Sequence, residues 1–288
     1  MTSRPGRLWQ IDSSGIIQND ARREYIQPPF DALVNAAMQA YVDHIGADLD
    51  SIYVTGSVAR GLVVAGESDL NMFAVTGDNV DPDLVMQAWV GAAERDLVNH
   101  HPCVSEVQLE IWPYYYVFTD PTRYAIGAFI LKTHSVCLWG SDLALSLPDY
   151  AITPGIANDD LVQIADDIAD AHDATADDPS AANVRYWSRW ISKNLLRAGF
   201  GLVQMQARVH TRDVDLCYHY FAQHFPDHAA DLRCALDFVS TPLDAADALH
   251  DYLENVGGWM IAQADKWLDQ HNPPHDLALL IDDVEEIE

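Results

Sequence analysis

Lysine is almost missing from this chain. Three occur in 288 residues (Lys132, Lys193 and Lys266), and lysine and arginine together number 16 against 44 aspartates and glutamates. The formal net charge of −28 repels phosphate backbones and anionic lipid surfaces wherever no basic patch intervenes. The basic residues are isolated except between Arg185 and Arg197, so nucleic acid and membrane are disfavoured as partners. The acidity itself reads either as a high-salt or solubility adaptation or as a field that draws in a cationic small molecule, and the first reading asks for less. Long apolar runs are missing as well. No stretch reaches the roughly 18 residues a membrane-spanning helix needs, and the opening residues Met1, Thr2, Ser3 and Arg4 lack the apolar core of a secretion signal. A cytoplasmic protein is therefore expected. Cysteine is sparse: Cys103, Cys137, Cys217 and Cys234 fall at no metal-ligand spacing, which favours reduced thiols over a zinc site.

What is present is the material of a globular fold. Hydrophobic residues make up 49% of the chain and aromatics 10%, which excludes a disordered polymer. The length suffices for two domains, and Pro148 and Pro154 mark the expected linker. The domains predicted are residues 1–150 and 151–288.

The first half alternates helix and strand. A helix is predicted over 30–45 behind Pro28 and Pro29, a strand over 51–56, a second strand from Asp69, a helix over 85–98 and a helix over 121–132. Over 104–112, Val107, Leu109 and Ile111 alternate with Glu106, Gln108 and Glu110, the pattern of a strand with one buried and one polar face. The second half reads as nearly all helix, at 159–171, 181–207, 214–224, 229–239 and 244–268, with Pro179, Pro226 and Pro242 in the loops. An up-and-down bundle is the simplest packing. Asp166, Asp167 and Asp170 read as a solvated helix face, and Glu285–Glu288 as a frayed tail.

The most informative stretch runs from Ser51 to Val75. Ile52, Tyr53 and Val54 make a short buried strand. Gly56 permits a tight turn and a close backbone approach to a ligand. Ser57 can cap a following helix and offer its hydroxyl to phosphate. The free N–H groups there suit a triphosphate, and Arg60 adds positive charge one turn on. On the second strand, Asp69 and Asn71 are two apart and project to one face, where their oxygens can share a hard cation such as Mg²⁺.

This order of hydrophobic strand, Gly-Ser, helix and Asp-x-Asn resembles the nucleotidyltransferase superfamily, which includes DNA polymerase beta and the bacterial aminoglycoside and other small-molecule nucleotidyltransferases. That family carries Asp-x-Asp, so Asn71 replaces its second carboxylate. The segment Cys137-Leu138-Trp139-Gly140-Ser141-Asp142-Leu143 is similar to one near the end of the family's catalytic domain, and a helical bundle follows that domain in the kanamycin and streptomycin enzymes. The resemblance implies an α/β (α+β) catalytic domain with a mixed sheet and an all-α domain behind it. It implies transfer of a nucleoside monophosphate from ATP or another nucleoside triphosphate to a hydroxyl of a small molecule, a cationic one being favoured by the acidity, or of a protein. Two Mg²⁺ ions clamp the reacting oxygens in the family. It places Gly56, Ser57 and Arg60 at the nucleotide, Asp69 as catalytic residue and metal ligand, Asn71 as a neutral and weaker metal ligand, and a third carboxylate at Glu106 or Glu110, with Gln108 as the alternative position. On the helix over 181–207, Arg189, Lys193 and Arg197 recur every four residues. The resemblance gives Lys193 and Arg197 a phosphate-binding role, against salt bridges with nearby aspartates. The loss of a carboxylate at Asn71 keeps a second expectation open: a catalytically impaired nucleotide-binding protein acting as a sensor or interaction module.

Overall fold

The computed structural model describes residues 6–118 and 125–277, with the side chains at 82–85 and 87 excepted. These residues form two compact units, one of residues 10–151 and one of 6–9 with 152–277. The units divide between Ala151 and Ile152, in the stretch flanked by Pro148 and Pro154. The placement of 6–9 differs from expectation, because that short segment pairs with the second unit. Arg7 donates its backbone N–H to Asp213 Oδ2 at 2.7 Å, and Trp9 donates its own to the His210 carbonyl at 3.0 Å. The Trp9 ring, 4% exposed, meets His210 edge-on at 5.1 Å. The expected tail at 285–288 lies outside the described residues.

In the first unit the chain runs α1 (Phe30–Ile45), β1 (Leu49–Thr55), α2 (Gly56–Arg60), β2 (Asp69–Thr76), α3 (Pro82–His100), β3 (Glu106–Pro113), α4 (Tyr114–Val117), α5 (Ile126–His134) and β4 (Val136–Gly140). The strands form one mixed sheet in the order β3-β2-β1-β4. β1 is antiparallel to both β2 and β4, while β2 and β3 are parallel. The parallel pair needs a crossover, and α3 supplies it. The alternation in sequence explains which face the helices cover. Ile52 and Val54 of β1, Leu70, Met72 and Ala74 of β2, and Val107, Leu109 and Ile111 of β3 share one core with Leu33, Ala37 and Tyr41 of α1 and Trp89 and Val90 of α3. The alternate residues therefore lie on the opposite face of the sheet. Of the helix expected over 121–132, residues 121–124 lie outside the described ones, and the helix observed starts at Ile126.

The second unit contains α6 (Gly155–Val162), α7 (Ile164–Asp177), α8 (Ala181–Ala207), α9 (Val214–His224), α10 (Ala229–Ser240) and α11 (Ala246–His271). The single helix predicted over 159–171 is replaced by α6 and α7, which meet at Gln163 (φ −84°, ψ −15°). α8 packs against each of the other five. Gly199 allows the approach of α10, since a Cβ there would stand 2.6 Å from Leu232 Cδ2. Among the described residues no helix is long and apolar enough to cross a membrane.

One feature of α6 sets a pH dependence. Asp159 is 7% exposed, and burial, with Asp160 next to it, pushes its carboxyl up to about 7 against the counteracting Arg212. Burial likewise raises Asp167 of α7 to about 6, although Asn194 donates to it at 3.0 Å. A carboxyl raised in the folded state binds its proton more tightly there than in the unfolded chain. The ionised form then costs stability in full above the folded value, and the cost shrinks progressively as pH falls below that value towards the unfolded one. Thermal unfolding should move to higher temperature between pH 8 and pH 6, and Asp159→Asn should flatten that rise while stabilising the protein at pH 8. Equal pH slopes in parent and variant would count against this account.

Candidate functional site

The register of β2 against β3 brings the candidate side chains together. Asp69 is partnered by Glu106, Asn71 by Gln108 and Phe73 by Glu110. Thr55, the last residue of β1, pairs with Asn71 on the other side. Paired residues in neighbouring strands point to one face, so Asp69, Asn71, Glu106, Gln108 and Glu110 all stand on the face away from α1 and α3. Two rows of polar groups result: a carboxylate row, Asp69 with Glu106, and beside it an amide row, Asn71 with Gln108. Gln108 Nε2 donates to Glu106 Oε1 at 3.0 Å, which ties one row to the other.

The register sets Glu106 and Glu110 at different distances from Asp69. Glu106 is the direct neighbour of Asp69. Glu110 lies two rows along, about 13 Å from Glu106 at the usual strand rise. Its Oε2 accepts a hydrogen bond from Trp112 Nε1 at 2.7 Å. It joins an aromatic row in which Tyr53 stacks on Phe73 at 5.2 Å and Phe73 on Trp112 at 3.7 Å.

The turn from β1 into α2 sits beside the amide row. Gly56 has φ +73°, a conformation that disfavours side chains, and a Cβ there would stand 3.2 Å from Asn71 Nδ2. Ser57 follows, and its hydroxyl oxygen is buried without a hydrogen-bond partner among the described residues, a state that costs free energy until a ligand or water satisfies it.

Arg60 is held within its own unit. It is only 3% exposed, and its Nε meets Asp20 Oδ2 at 2.7 Å, with Asp20 itself 13% exposed. The reason is local: α2 lasts five residues, and Val58, Ala59 and Arg60 form its buried side. Lys193 and Arg197 belong to α8, in the second unit, one turn apart. Arg189, the third member of that stripe, donates its Nε to the Val239 carbonyl at 3.1 Å. Arg197 is near enough to Cys217 of α9 to favour its thiolate, against the larger effect of burial, which raises the thiol.

The oxygens of Asp69, Glu106 and Asn71 are hard donors of the kind Mg²⁺ takes. Among the described residues, no group of three or more His, Cys, Asp or Glu side chains could hold a metal. The donors on this face are two adjacent carboxylates, Asp69 and Glu106, beside two amides, one acid fewer than the family pattern carries.

Sequence reasoning passed over Glu94. This α3 residue accepts the backbone N–H of Leu109 on β3 at 2.8 Å. The only hint in sequence was a carboxylate on a helix that must pack against the alternating strand, and many helices carry one.

No family model matches the chain, and no curated protein matches it either. Among solved structures, the chain is similar to spectinomycin adenyltransferase AAD(9) from Enterococcus faecialis, determined with ATP and spectinomycin. The identity is 14% and the TM-score 0.49, over 80% of this chain and 98% of that one.

Proposed function

We propose that this protein transfers a nucleoside monophosphate from ATP or another nucleoside triphosphate to a hydroxyl of a small molecule. The observation that carries the reading is the neighbourhood in the sheet: a carboxylate pair, Asp69 and Glu106, one row from the Gly56-Ser57 turn. Asp69 and Glu106 would hold a divalent cation, which when bound neutralises the phosphoryl oxygens at the reacting phosphorus. Gly56 lets phosphate approach the backbone without a Cβ in the way, and Ser57 offers its unpartnered hydroxyl to a phosphate oxygen. Asn71, with its Nδ2 towards Gly56, stands between the phosphates and the carboxylates. Gln108 steadies Glu106, and a carboxylate of the pair takes the proton from the acceptor hydroxyl. Arg60 supports the turn from beneath, through its ion pair with Asp20. The test is pyrophosphate release with ATP and Mg²⁺ over a panel of hydroxyl-bearing small molecules, cationic ones included. Silence with every nucleoside triphosphate and every acceptor would end the proposal.

The amide row supports a second reading, a nucleotide-binding protein that no longer turns over. Restoring charge separates the two. Asn71→Asp should bind Mn²⁺ or Mg²⁺ about tenfold more tightly in titration calorimetry, because a charged oxygen holds a hard dication better than an amide oxygen. It should raise transfer in step if a missing carboxylate limits the chemistry. An affinity equal to the parent's would mean that residue 71 does not face the cation.

A further inference from the structure

We propose that Glu94 is a positioning residue for the carboxylate strand, its hydrogen bond to the Leu109 amide fixing where β3 carries Glu106 and Gln108. The inference rests on the transferase reading and deepens it. β3 is the outermost strand of its side of the sheet. Among the described residues only β2 pairs with it, so its far edge presents backbone groups with no strand partner there. Glu94 reaches that edge from α3 and accepts the N–H of Leu109 at 2.8 Å. Leu109 lies between Gln108, which holds Glu106 at 3.0 Å, and Glu110. A shift of the strand at 109 therefore passes straight into the groups beside Asp69 and Asn71.

A second hold from the same side acts on the next residue. The Tyr41 hydroxyl of α1 lies 3.1 Å from the Glu110 carbonyl and 2.9 Å from the Met72 carbonyl, positioned to donate to both. The pair of holds ties β3 to the helical layer at Leu109 and ties both β2 and β3 to it one residue on.

Glu94 occupies this place at a cost. Burial raises its carboxyl above the ordinary value, and Glu106 and Glu110 raise it further, while the Leu109 amide and Arg95 pull it down. An apolar residue would cover the edge without bringing a third carboxylate near two others. It would not hold the Leu109 N–H.

The experiment compares Glu94→Ala, which removes the acceptor, with Glu94→Gln, which keeps an acceptor oxygen and drops the charge. Three quantities are read on folded protein: amide exchange at Leu109, Mn²⁺ affinity, and kcat and KM for ATP in the transfer assay. In Glu94→Ala, Leu109 exchange should rise at least tenfold and Mn²⁺ affinity should fall about fivefold. The kcat should fall at least tenfold with KM for ATP within threefold, because the Gly56-Ser57 turn belongs to another strand. Glu94→Gln should restore all of these to within threefold of the parent. A Glu94→Ala protein that melts earlier but keeps kcat and Mn²⁺ affinity would reduce Glu94 to an edge cover and overturn the proposal, as would a Glu94→Gln protein as impaired as Glu94→Ala. If the parent shows no transfer, the transferase reading fails separately, and the exchange and Mn²⁺ measurements still decide the role of Glu94.

Discussion

Replacing Asp69 with Asn should lower nucleotidyl transfer about a thousandfold, equivalent to roughly 4 kcal/mol of transition-state stabilisation. The size follows from what the site holds. Asp69 and Glu106 are adjacent in register, and the next row holds only the amides of Asn71 and Gln108. Removing one carboxylate halves the negative charge facing a cation, and no neighbour in the next row replaces it. A family-type site with a third acid would soften the loss. The same logic makes Glu106→Gln costly and Glu110→Gln mild, since Glu110 is two rows off and engaged by Trp112. The measurement is pyrophosphate release by folded variants, with folding checked by thermal unfolding. A folded Asp69→Asn protein retaining more than a tenth of the parent rate would remove Asp69 from the mechanism, and a large loss in Glu110→Gln would place Glu110 in it.

Arg60→Ala should destabilise the protein by about 3–5 kcal/mol, the cost of leaving a buried charge without its partner. The ion pair to Asp20 is short at 2.7 Å, and both side chains are largely shielded from water. Deleting the guanidinium takes this partner from the Asp20 carboxylate and opens space on the buried side of α2. Asp20→Asn should cost less than Arg60→Ala, and the double variant Asp20→Asn with Arg60→Ala should cost clearly less than the two singles added, the signature of direct coupling. Urea unfolding gives each number. A loss under about 1 kcal/mol, the range of an exposed pair, would show that the contact is not the buried support inferred from its geometry. ATP affinity supplies a second readout. If Arg60 acts only as support, protein that remains folded should bind ATP within a fewfold of the parent, whereas a direct phosphate contact would cost tenfold or more.

Much of the chain was legible because local periodicity reports local structure. Phe30–Ile45 and Val214–His224 occur as helices with the predicted ends, and 181–207 is one helix throughout. Each has apolar residues at helical spacing and a proline or loop at its border. The alternation of Val107, Leu109 and Ile111 with Glu106, Gln108 and Glu110 announced a half-buried strand, and the period of two settled which side chains share a face. Asp69 and Asn71 were assigned to one face by the same rule. Composition alone named the acidic surface and the shortage of lysine.

Tertiary structure decided everything that depends on residues far apart in sequence. The period of two gives a face and leaves the register between strands open. Only the parallel pairing of β2 with β3 puts Glu106 beside Asp69, Gln108 beside Asn71, and Glu110 out of the way. From sequence Arg60 is expected at phosphate because its helix follows Gly56-Ser57, while its ion pair comes from tertiary packing. Its partner Asp20 lies 40 residues away, a distance over which no local pattern carries information. Glu94 and Leu109 are 15 apart and meet because α3 crosses from β2 to the sheet edge. Residues 6–9 joined the helical unit through Asp213, Asp215 and His210, contacts again invisible to any local window. The candidate residues were thus written in the sequence as types and faces, and the packing set which of them are neighbours, because hydrogen bonds and ion pairs act over a few ångströms whatever the separation along the chain.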